Sequence, residues 1–167
     1  GENKVQEAKA KWQVVKKENA NLKLHMIGKL QSNKAKDAYK LFDYIHSIDS
    51  QKLADIFSNC ESNNERKIKY FLQVNIGNEI QKSGIPPAEV DSFLDYCTKE
   101  KKLNILGLMV IPPNDENTEK YFKTINELNS SLGLKDLSMG MSSDYELAIE
   151  NNATFVRIGS SIFGPRT

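Results

Sequence analysis

Apolar and polar residues follow two different patterns along this chain, and the two patterns alternate. Six short stretches are rich in apolar and β-branched residues, which is typical of strands in a parallel sheet. The clearest is IKYFLQVNI at residues 68–76, a nearly continuous run of the kind expected for a strand buried on both faces. The other five predicted strands span residues 22–28, 44–49, 103–111, 137–141 and 154–159.

Between these runs, apolar residues recur every three or four positions, which predicts amphipathic helices. The first helix is predicted over residues 4–19, and a short helical stretch follows the first strand. Three further helices are indicated by apolar stripes. The stripes are Leu53, Ile56, Phe57 and Cys60; Val90, Phe93, Leu94 and Cys97; and Tyr121, Phe122, Ile125, Leu128 and Leu132.

Residues that favour helix starts precede several of these stripes. Asp49 or Ser50 is a suitable N-cap. The Pro86–Pro87 pair lies at the start of the next helix, where a missing N–H costs little. Ser143 and Glu146 have the spacing of a capping box, which predicts a last helix directly after the fifth strand.

Strands and helices alternate with a period of roughly 30 residues, which predicts a parallel α/β sheet, either doubly wound or closed as a barrel. We count six strands, whereas a complete eight-stranded α/β barrel takes about 250 residues. No change in composition or linker-like segment divides the chain, so a single domain over residues 1–167 is expected.

The composition is that of an ordinary globular protein, with 27% charged and 39% apolar residues. The net charge of +1 gives no sign of a nucleic-acid partner, and the lysines between residues 9 and 17 are expected on the solvated side of a helix. No apolar run approaches the ~18 residues of a membrane span, and no secretory leader is visible. Cys60 and Cys97 fall on helix stripes, so we expect reduced packing residues in a cytoplasmic protein, with a disulfide as the alternative.

Sites in parallel α/β folds form at the carboxyl ends of the strands. After the last two predicted strands come Ser142 with Ser143, and Gly159 with Ser160. Small residues at these positions leave backbone N–H groups accessible, which favours binding of a phosphate or another anion. The alternative is purely structural, because capping serines and strand-ending glycines are common.

Arg157 lies within the last predicted strand, FVRIG, which otherwise reads as buried. A buried guanidinium needs an anionic or acceptor partner, so a ligand is one candidate for that role. His25 and Met109 also lie on predicted strands, but each has an ordinary alternative. His25 can be a histidine whose hydrogen bonds are satisfied within the protein, and Met109 can be a core residue.

Several stretches together resemble the pyridoxal-phosphate homeostasis protein family, which is related to the N-terminal domain of alanine racemase. The resemblance covers essentially the whole chain. It rests on the stretches GENKVQEA, LHMIGKLQSNK, IHSID, QVNIGNEIQKSG, GLMVIPP, LSMGMSSDYELAI and VRIGSSIFG, in that order and spacing. The resemblance implies a TIM-barrel type of α/β fold and binding of pyridoxal 5′-phosphate (PLP), with no established enzymatic turnover.

The same resemblance implies roles for seven residues. Ser142 and the N–H groups around Gly159 and Ser160 would hold the phosphate of PLP, and Arg157 would face the pyridine nitrogen. The positions of the family that line the pocket near the ring correspond to Asn3, His25 and Met109.

The family's PLP-linking lysine lies on the first barrel strand, upstream of the GEN stretch with which this sequence opens. We therefore expect an incomplete barrel of about six strands, with the first strand and most of the second absent. Such a chain is expected to bind PLP or phosphate at most non-covalently; the alternative is a fragment of a PLP-dependent, racemase-like enzyme. We also expect the open edge of the barrel to be covered, either by a second copy of the chain or by a shift of the N-terminal helix.

Overall fold

The computed structural model describes residues 1–19, 21–79 and 81–164. Its centre is one sheet of six strands in sequence order, and every neighbouring pair is parallel. The strands are β1 (His25–Met26), β2 (Tyr44–Ile48), β3 (Lys69–Val74), β4 (Ile105–Val110), β5 (Asp136–Met141) and β6 (Phe155–Arg157). The prediction of six parallel strands is confirmed, and the sheet is a curled half-barrel with helices packed against it.

Alternating residues of each strand face opposite sides of this sheet. In β3, Tyr70 and Leu72 belong to the core cluster that the sheet shares with the helices. Phe71, between them, is fully buried but lies outside that cluster, and Met109 of β4 does the same. These two side chains face the inner, concave side of the half-barrel, where a barrel fold places its site.

The helices follow the predicted apolar stripes. They are α1 (Val5–Glu18), α2 (Ala35–Leu41), α3 (Gln51–Ser62), α4 (Val90–Asp95), α5 (Thr118–Ser131), α6 (Tyr145–Glu150) and α7 (Ser160–Phe163). Ser50 rather than Asp49 caps α3, because its hydroxyl accepts the Leu53 N–H. A 3₁₀ turn at Pro87–Glu89 leads into α4, which continues as a π-helical turn over Tyr96–Glu100.

The curl of the sheet brings its first and last strands together on the concave side. The rings of His25 on β1 and Phe155 on β6 have their centroids 5.9 Å apart, and Tyr44 on β2 lies equally close to Phe155. Among the residues that the structure describes, no backbone pairing joins β1 to β6. The rings of His25, Tyr44 and Phe155, which we call the aromatic clasp, therefore bridge the opening through side-chain contacts.

The N-terminal residues lie beside β1. The Glu2 N–H donates to the His25 carbonyl, and the Ile27 N–H donates to the Glu2 carbonyl, which makes a one-residue parallel bridge. The helix that follows, α1, packs against α2 and adds Val5 to the core shared with the helices. The expected shift of this helix over the opening is therefore wrong, because its apolar stripe is already buried against α2.

Some large apolar side chains near the β6 edge remain exposed. They are Ile149 on α6, Val156 on β6, and Ile162 and Phe163 on α7. Both cysteines are free thiols: Cys97 is buried in the core, and Cys60 packs against it. Within the described ranges, none of the helices has the length and apolar character that crossing a bilayer requires.

Candidate functional site

The centre of the site is Arg157, the last residue of β6, on the same face of the strand as Phe155. Its Nη1 donates to the Ser138 hydroxyl and its Nη2 to the Val110 carbonyl, both at 2.8 Å. Burial lowers the pKa of Arg157 to about 10, and Asp144 partly opposes this shift through its negative charge. No ion pair to Arg157 is found within the described residues. Its hydrogen-bond partners are therefore neutral acceptors.

Met109 and Ser138 are neighbours on this inner face. Strand register places Met109 of β4 beside Ser138 of β5, and Ser138 in turn beside Phe155 of β6. Met109 is completely buried. It therefore lies on the inner face next to the serine that accepts from Arg157.

His25 is the first residue of β1 and stacks on Tyr44, with ring centroids 4.1 Å apart and planes only 5° from parallel. Its Nδ1 lies 3.0 Å from Nε2 of His46. Burial, and to a lesser extent the positive N-terminus, lower the pKa of His25 to about 4, against a smaller opposing effect of Asp43. His25 is thus a neutral, hydrogen-bonded histidine that forms part of the inner face.

Ser142, Gly159 and Ser160 lie together where β5 and β6 end. The Ser142 Oγ accepts the N–H of Gly159 at 3.1 Å and that of Ser161 at 3.4 Å. Ser160 begins the short helix α7. The structure therefore corrects one expectation: the Gly159 and Ser161 N–H groups do not stand free for an anion, because Ser142 already occupies them.

These two bonds also orient the Ser142 hydroxyl. A hydroxyl has two acceptor positions and one hydrogen, and both acceptor positions of Ser142 are used. No acceptor for its hydrogen is found in the described part of the chain. That hydrogen is the donor that Ser142 can offer to an anionic ligand.

Gly159 leaves space beside this hydroxyl. A Cβ added at Gly159 would meet no described atom within 4 Å. The φ of −129° lies outside the left-handed region that favours glycine. No described side chain requires glycine here, so the open space can receive a ligand group.

The loop between β5 and α6 differs from the predicted capping box. Asp144 rather than Ser143 precedes the helix, and its Oδ1 accepts the Met141 N–H at 2.6 Å. The Asp144 N–H returns to the Met141 carbonyl, so the loop is a closed turn with Ser143 at its exposed side. The capping-box prediction is wrong because the Asp144 side chain closes the turn in place of a serine cap.

Asn3 lies apart from the other predicted residues. Asn3 follows Glu2, which forms the bridge to β1, and it lies against Gly28. The Asn3 carbonyl leaves no room for a Cβ at Gly28. No hydrogen bond from Asn3 to the other six predicted residues is found among the described residues. The structure therefore joins His25, Met109 and Arg157 on the inner face, places Ser142, Gly159 and Ser160 at the strand ends, and leaves Asn3 at the β1 edge.

Three residues of this site carried no prediction. His46, Ser138 and Phe155 link the predicted residues by hydrogen bonds and ring contacts. A polar residue inside an apolar strand was a usable signal for two of them, since Ser138 lies in LSMGM and His46 in YIHSI. Phe155 gave no such signal, because a phenylalanine in a buried strand is ordinary.

The arrangement offers a fixed guanidinium at one end and a hydroxyl with small neighbours at the other. Such a pair suits a ligand with a hydrogen-bond acceptor near Arg157 and an anionic group near Ser142. Among the residues that the structure describes, no cluster of side chains suited to holding a metal ion occurs. Two cavities of about 350 and 390 Å³ lie elsewhere, beside Tyr96 and beside Trp12. The strand ends are the stronger candidate site, because the partly buried guanidinium of Arg157 lies there.

Comparisons with known proteins show the family to which the chain belongs. The family model described as the N-terminal domain of alanine racemase matches residues 1–167. The pyridoxal phosphate homeostasis protein of Aquifex aeolicus is 39% identical over 175 positions, covering 99% of this chain and 76% of that protein. The protein of the same name from Escherichia coli K12 is 35% identical over 175 positions, covering 99% of this chain and 75% of its own length.

Solved structures give the same result. PipY of Synechococcus elongatus, solved with PLP bound, matches with a TM-score of 0.88 at 38% identity, over 98% of this chain and 80% of PipY. The structure of PipY without PLP gives a TM-score of 0.91. An alanine racemase of Clostridium difficile, at 14% identity and a TM-score of 0.72, shares the fold alone. This chain therefore belongs to the family of pyridoxal phosphate homeostasis proteins.

Proposed function

We propose that this chain binds PLP reversibly at the carboxyl ends of β5 and β6 and takes part in regulating the supply of that cofactor. The observation that carries the proposal is Arg157, a partly buried guanidinium held by a hydroxyl and a carbonyl. A cation that is partly withdrawn from water and has no ion-pair partner is less well stabilised than a fully hydrated one. A ligand that brings an acceptor to Arg157 and negative charge nearby would supply part of that stabilisation.

In this proposal the phosphate of PLP lies at Ser142, Gly159 and Ser160. The Ser142 hydroxyl has its hydrogen left to donate, and Gly159 leaves the space that phosphate oxygens need. When the phosphate binds, its oxygens would also compete with Ser142 for the Gly159 and Ser161 N–H groups, since charge-assisted bonds are the stronger ones. PipY, a relative of similar fold, has been solved with PLP bound, which supports PLP as the ligand.

Arg157 would face the ring nitrogen. A permanent positive charge there disfavours protonation of the ring. PLP supplies an aldehyde and an electron sink when bound, and an unprotonated ring is the weaker sink. This favours a role in holding the cofactor over broad amino-acid chemistry.

Asn3, His25 and Met109 are proposed to border the ring. Met109 is adjacent to Ser138 by strand register, and His25 is linked to the same serine through His46. Asn3 would border the site from the β1 edge. Non-covalent binding is part of the proposal, because no lysine is hydrogen-bonded to the phosphate residues or to Arg157 in the described ranges.

A PLP titration followed by absorbance, with borohydride reduction and peptide mapping, tests the proposal. We expect saturable binding that inorganic phosphate competes away, and no lysine that keeps a pyridoxyl group after reduction. Ser142→Ala should weaken binding about tenfold, the effect of losing one hydrogen bond to a charged group. Ser131→Ala, at an exposed serine of α5, is the matched control and should leave the affinity unchanged.

The result has clear contrary outcomes. Absence of saturable PLP binding would overturn the proposed function. A reduced lysine adduct would overturn only its non-covalent part, and turnover of an amino acid in the presence of PLP would favour the enzyme alternative.

We also infer a cytoplasmic location, supported by the two free thiols, Cys60 and Cys97.

A further inference from the structure

A chain of hydrogen bonds crosses the concave face and ends at Arg157. His25 Nδ1 lies 3.0 Å from His46 Nε2, and His46 Nδ1 lies 2.8 Å from the Ser138 Oγ. The same oxygen accepts the Arg157 Nη1 at 2.8 Å. The four residues come from β1, β2, β5 and β6, so the chain spans the half-barrel from its first strand to its last.

The donor of each bond can be worked out from Arg157. A guanidinium only donates, so Ser138 must accept from it, and the single hydroxyl hydrogen of Ser138 is left to donate. Ser138 is fully buried, and the only other neighbour found for its oxygen among the described residues is Nδ1 of His46. A buried hydroxyl hydrogen without an acceptor is unfavourable, so it points at His46.

The two histidine tautomers then follow. His46 accepts at Nδ1 and carries its proton on Nε2, with which it donates to Nδ1 of His25. His25 therefore also carries its proton on Nε2. In the opposite direction His46 would donate to Ser138, and the hydroxyl hydrogen would have no acceptor in the described part of the chain.

Ring packing holds the chain in place. His25 stacks on Tyr44, and His46 stacks on Phe71 with centroids 4.4 Å apart and planes 20° from parallel. Burial lowers the pKa of His46 to about 2, so His46 stays neutral at pH 7 as the chain requires. The groups whose charges act on it are His25, Arg157 and the N-terminus.

We propose that His46 and Ser138 are positioning residues for Arg157, and that the one-directional chain through them fixes the guanidinium for its ligand. Ser138 holds one end of the guanidinium and Val110 the other. His46 accepts the hydroxyl hydrogen of Ser138, which leaves the lone pairs of the serine oxygen directed at Arg157. This inference rests on the proposed function in taking the PLP ring nitrogen as the acceptor that Arg157 meets.

Nitrogen NMR of the two histidines tests the chain directly. The sequence contains only His25 and His46, so long-range ¹H–¹⁵N correlation on the uniformly labelled full chain reports both rings at pH 7 without ligand. We expect Nδ1 unprotonated and Nε2 protonated in both. A proton on Nδ1 of His46 in the unmodified protein would overturn the proposal, and this arm needs no variant that has to fold.

Variants at Ser138 test positioning. Ser138→Ala should change the His46 nitrogen shifts and weaken PLP binding about tenfold, because one bond to the guanidinium is lost. Ser138→Thr keeps the hydroxyl and should restore both readouts. Ser131→Ala is the control for a serine outside the chain.

The arms separate the two proposals. If the unmodified protein does not bind PLP, the proposed function fails. The tautomers of His25 and His46 still show whether the hydrogen bonds run in the proposed direction. If the unmodified protein and the folded Ser138→Ala variant bind PLP equally well, the positioning role fails while the proposed function stands. An unchanged His46 spectrum in that variant would likewise overturn the positioning role.

Discussion

At the scale of single residues, Arg157 holds a positive charge in a partly buried place, and none of the described carboxylates forms an ion pair with it. Its two neutral acceptors, Ser138 and Val110, fix its direction but do not balance its charge. Balancing that charge with a carboxylate would consume the donors that a ligand needs. The arrangement thus gives up some stability in exchange for an unpaired cation, a trade that is common at binding sites.

The two histidines predict a pH dependence of stability. Burial lowers the pKa of His46 to about 2 and of His25 to about 4, below the value of 6.5 in an unfolded chain. Below pH 6.5 the unfolded chain therefore binds more protons, and the free energy of unfolding should fall as the pH drops from 6.5 toward 4. The slope approaches about 1.4 kcal/mol per pH unit for each neutral buried histidine, with the half-exposed His25 contributing less.

Chemical denaturation at a series of pH values measures this slope. The matched variant replaces both histidines by glutamine, and its free energy of unfolding should change less between pH 6.5 and 4.5. Asp49 acts in the opposite direction, because burial raises its pKa and its protonation favours the folded state. An equal slope in the double variant would show that other groups cause the pH dependence.

Sequence reasoning identified the residues that stand out by chemical type and missed those that act through others. The sequence alone shows Arg157 within an apolar strand, and it shows Ser142 and Gly159 at the strand ends. It does not show the partners of Arg157, since Ser138 and His46 meet only when β2 and β5 lie on the same curved surface. Asp144 gives no such signal, because the sequence spacing favours a capping box with Ser143, whereas the Asp144 carboxylate accepts the Met141 N–H.

At the scale of elements, two glycines at the strand ends have opposite roles. Gly140 on β5 has a φ of +89°, and a Cβ there would lie 2.6 Å from the Cβ of Ala148 on α6. Gly159 has a negative φ and open space beside it. One glycine is thus required by packing, and the other is not required by any described neighbour.

Alanine at each glycine separates folding from binding. Gly159→Ala should change the free energy of unfolding by less than about 1 kcal/mol and weaken phosphate and PLP binding, because the methyl group occupies part of the open space at Gly159. Gly140→Ala should lower the free energy of unfolding by about 1–3 kcal/mol through the positive φ and the contact with Ala148. Thermal melts and PLP titration check both; unchanged PLP affinity in Gly159→Ala would argue against a phosphate cradle there.

The elements themselves were largely predictable, whereas their ends were not. Apolar runs locate all six strands, but β1 extends over only His25–Met26 where 22–28 was predicted. On one side β1 pairs with β2, and on the other it has only the single bridge to Glu2. A strand with few partners forms few ladder bonds, and the sequence pattern does not contain that information.

At the scale of the whole molecule, the β6 edge is apolar and exposed. Phe163 is 84% exposed and Ile162 66% exposed, with Val156 and Ile149 in nearby elements. Because exposed apolar side chains near an unpaired strand favour association, we keep the prediction that a second copy covers this edge. Sedimentation or light scattering should find an oligomer that Phe163→Asp shifts toward the monomer. Val14→Asp, at an exposed valine of α1, is the control and should not change the mass.

A monomeric mass for the unmodified protein at high concentration would contradict that prediction.

The α/β alternation and the resemblance gave the parallel order and the barrel type. The degree of curl could not be foreseen, because it depends on how Phe155 packs against the stacked rings of His25 and Tyr44 across the opening. Such contacts depend on the summed twist of six strands.

The aromatic clasp has a consequence for how the molecule reaches its folded state. It joins residues about 130 positions apart, so almost the whole chain must be ordered before it can form, and contacts of this range slow folding. The ellipticity of the aromatic rings in the near ultraviolet should therefore recover later than the helical signal during refolding. Until the clasp forms, Arg157 lacks the fixed walls around it, and the capacity to hold a ligand should be among the last properties that the protein acquires.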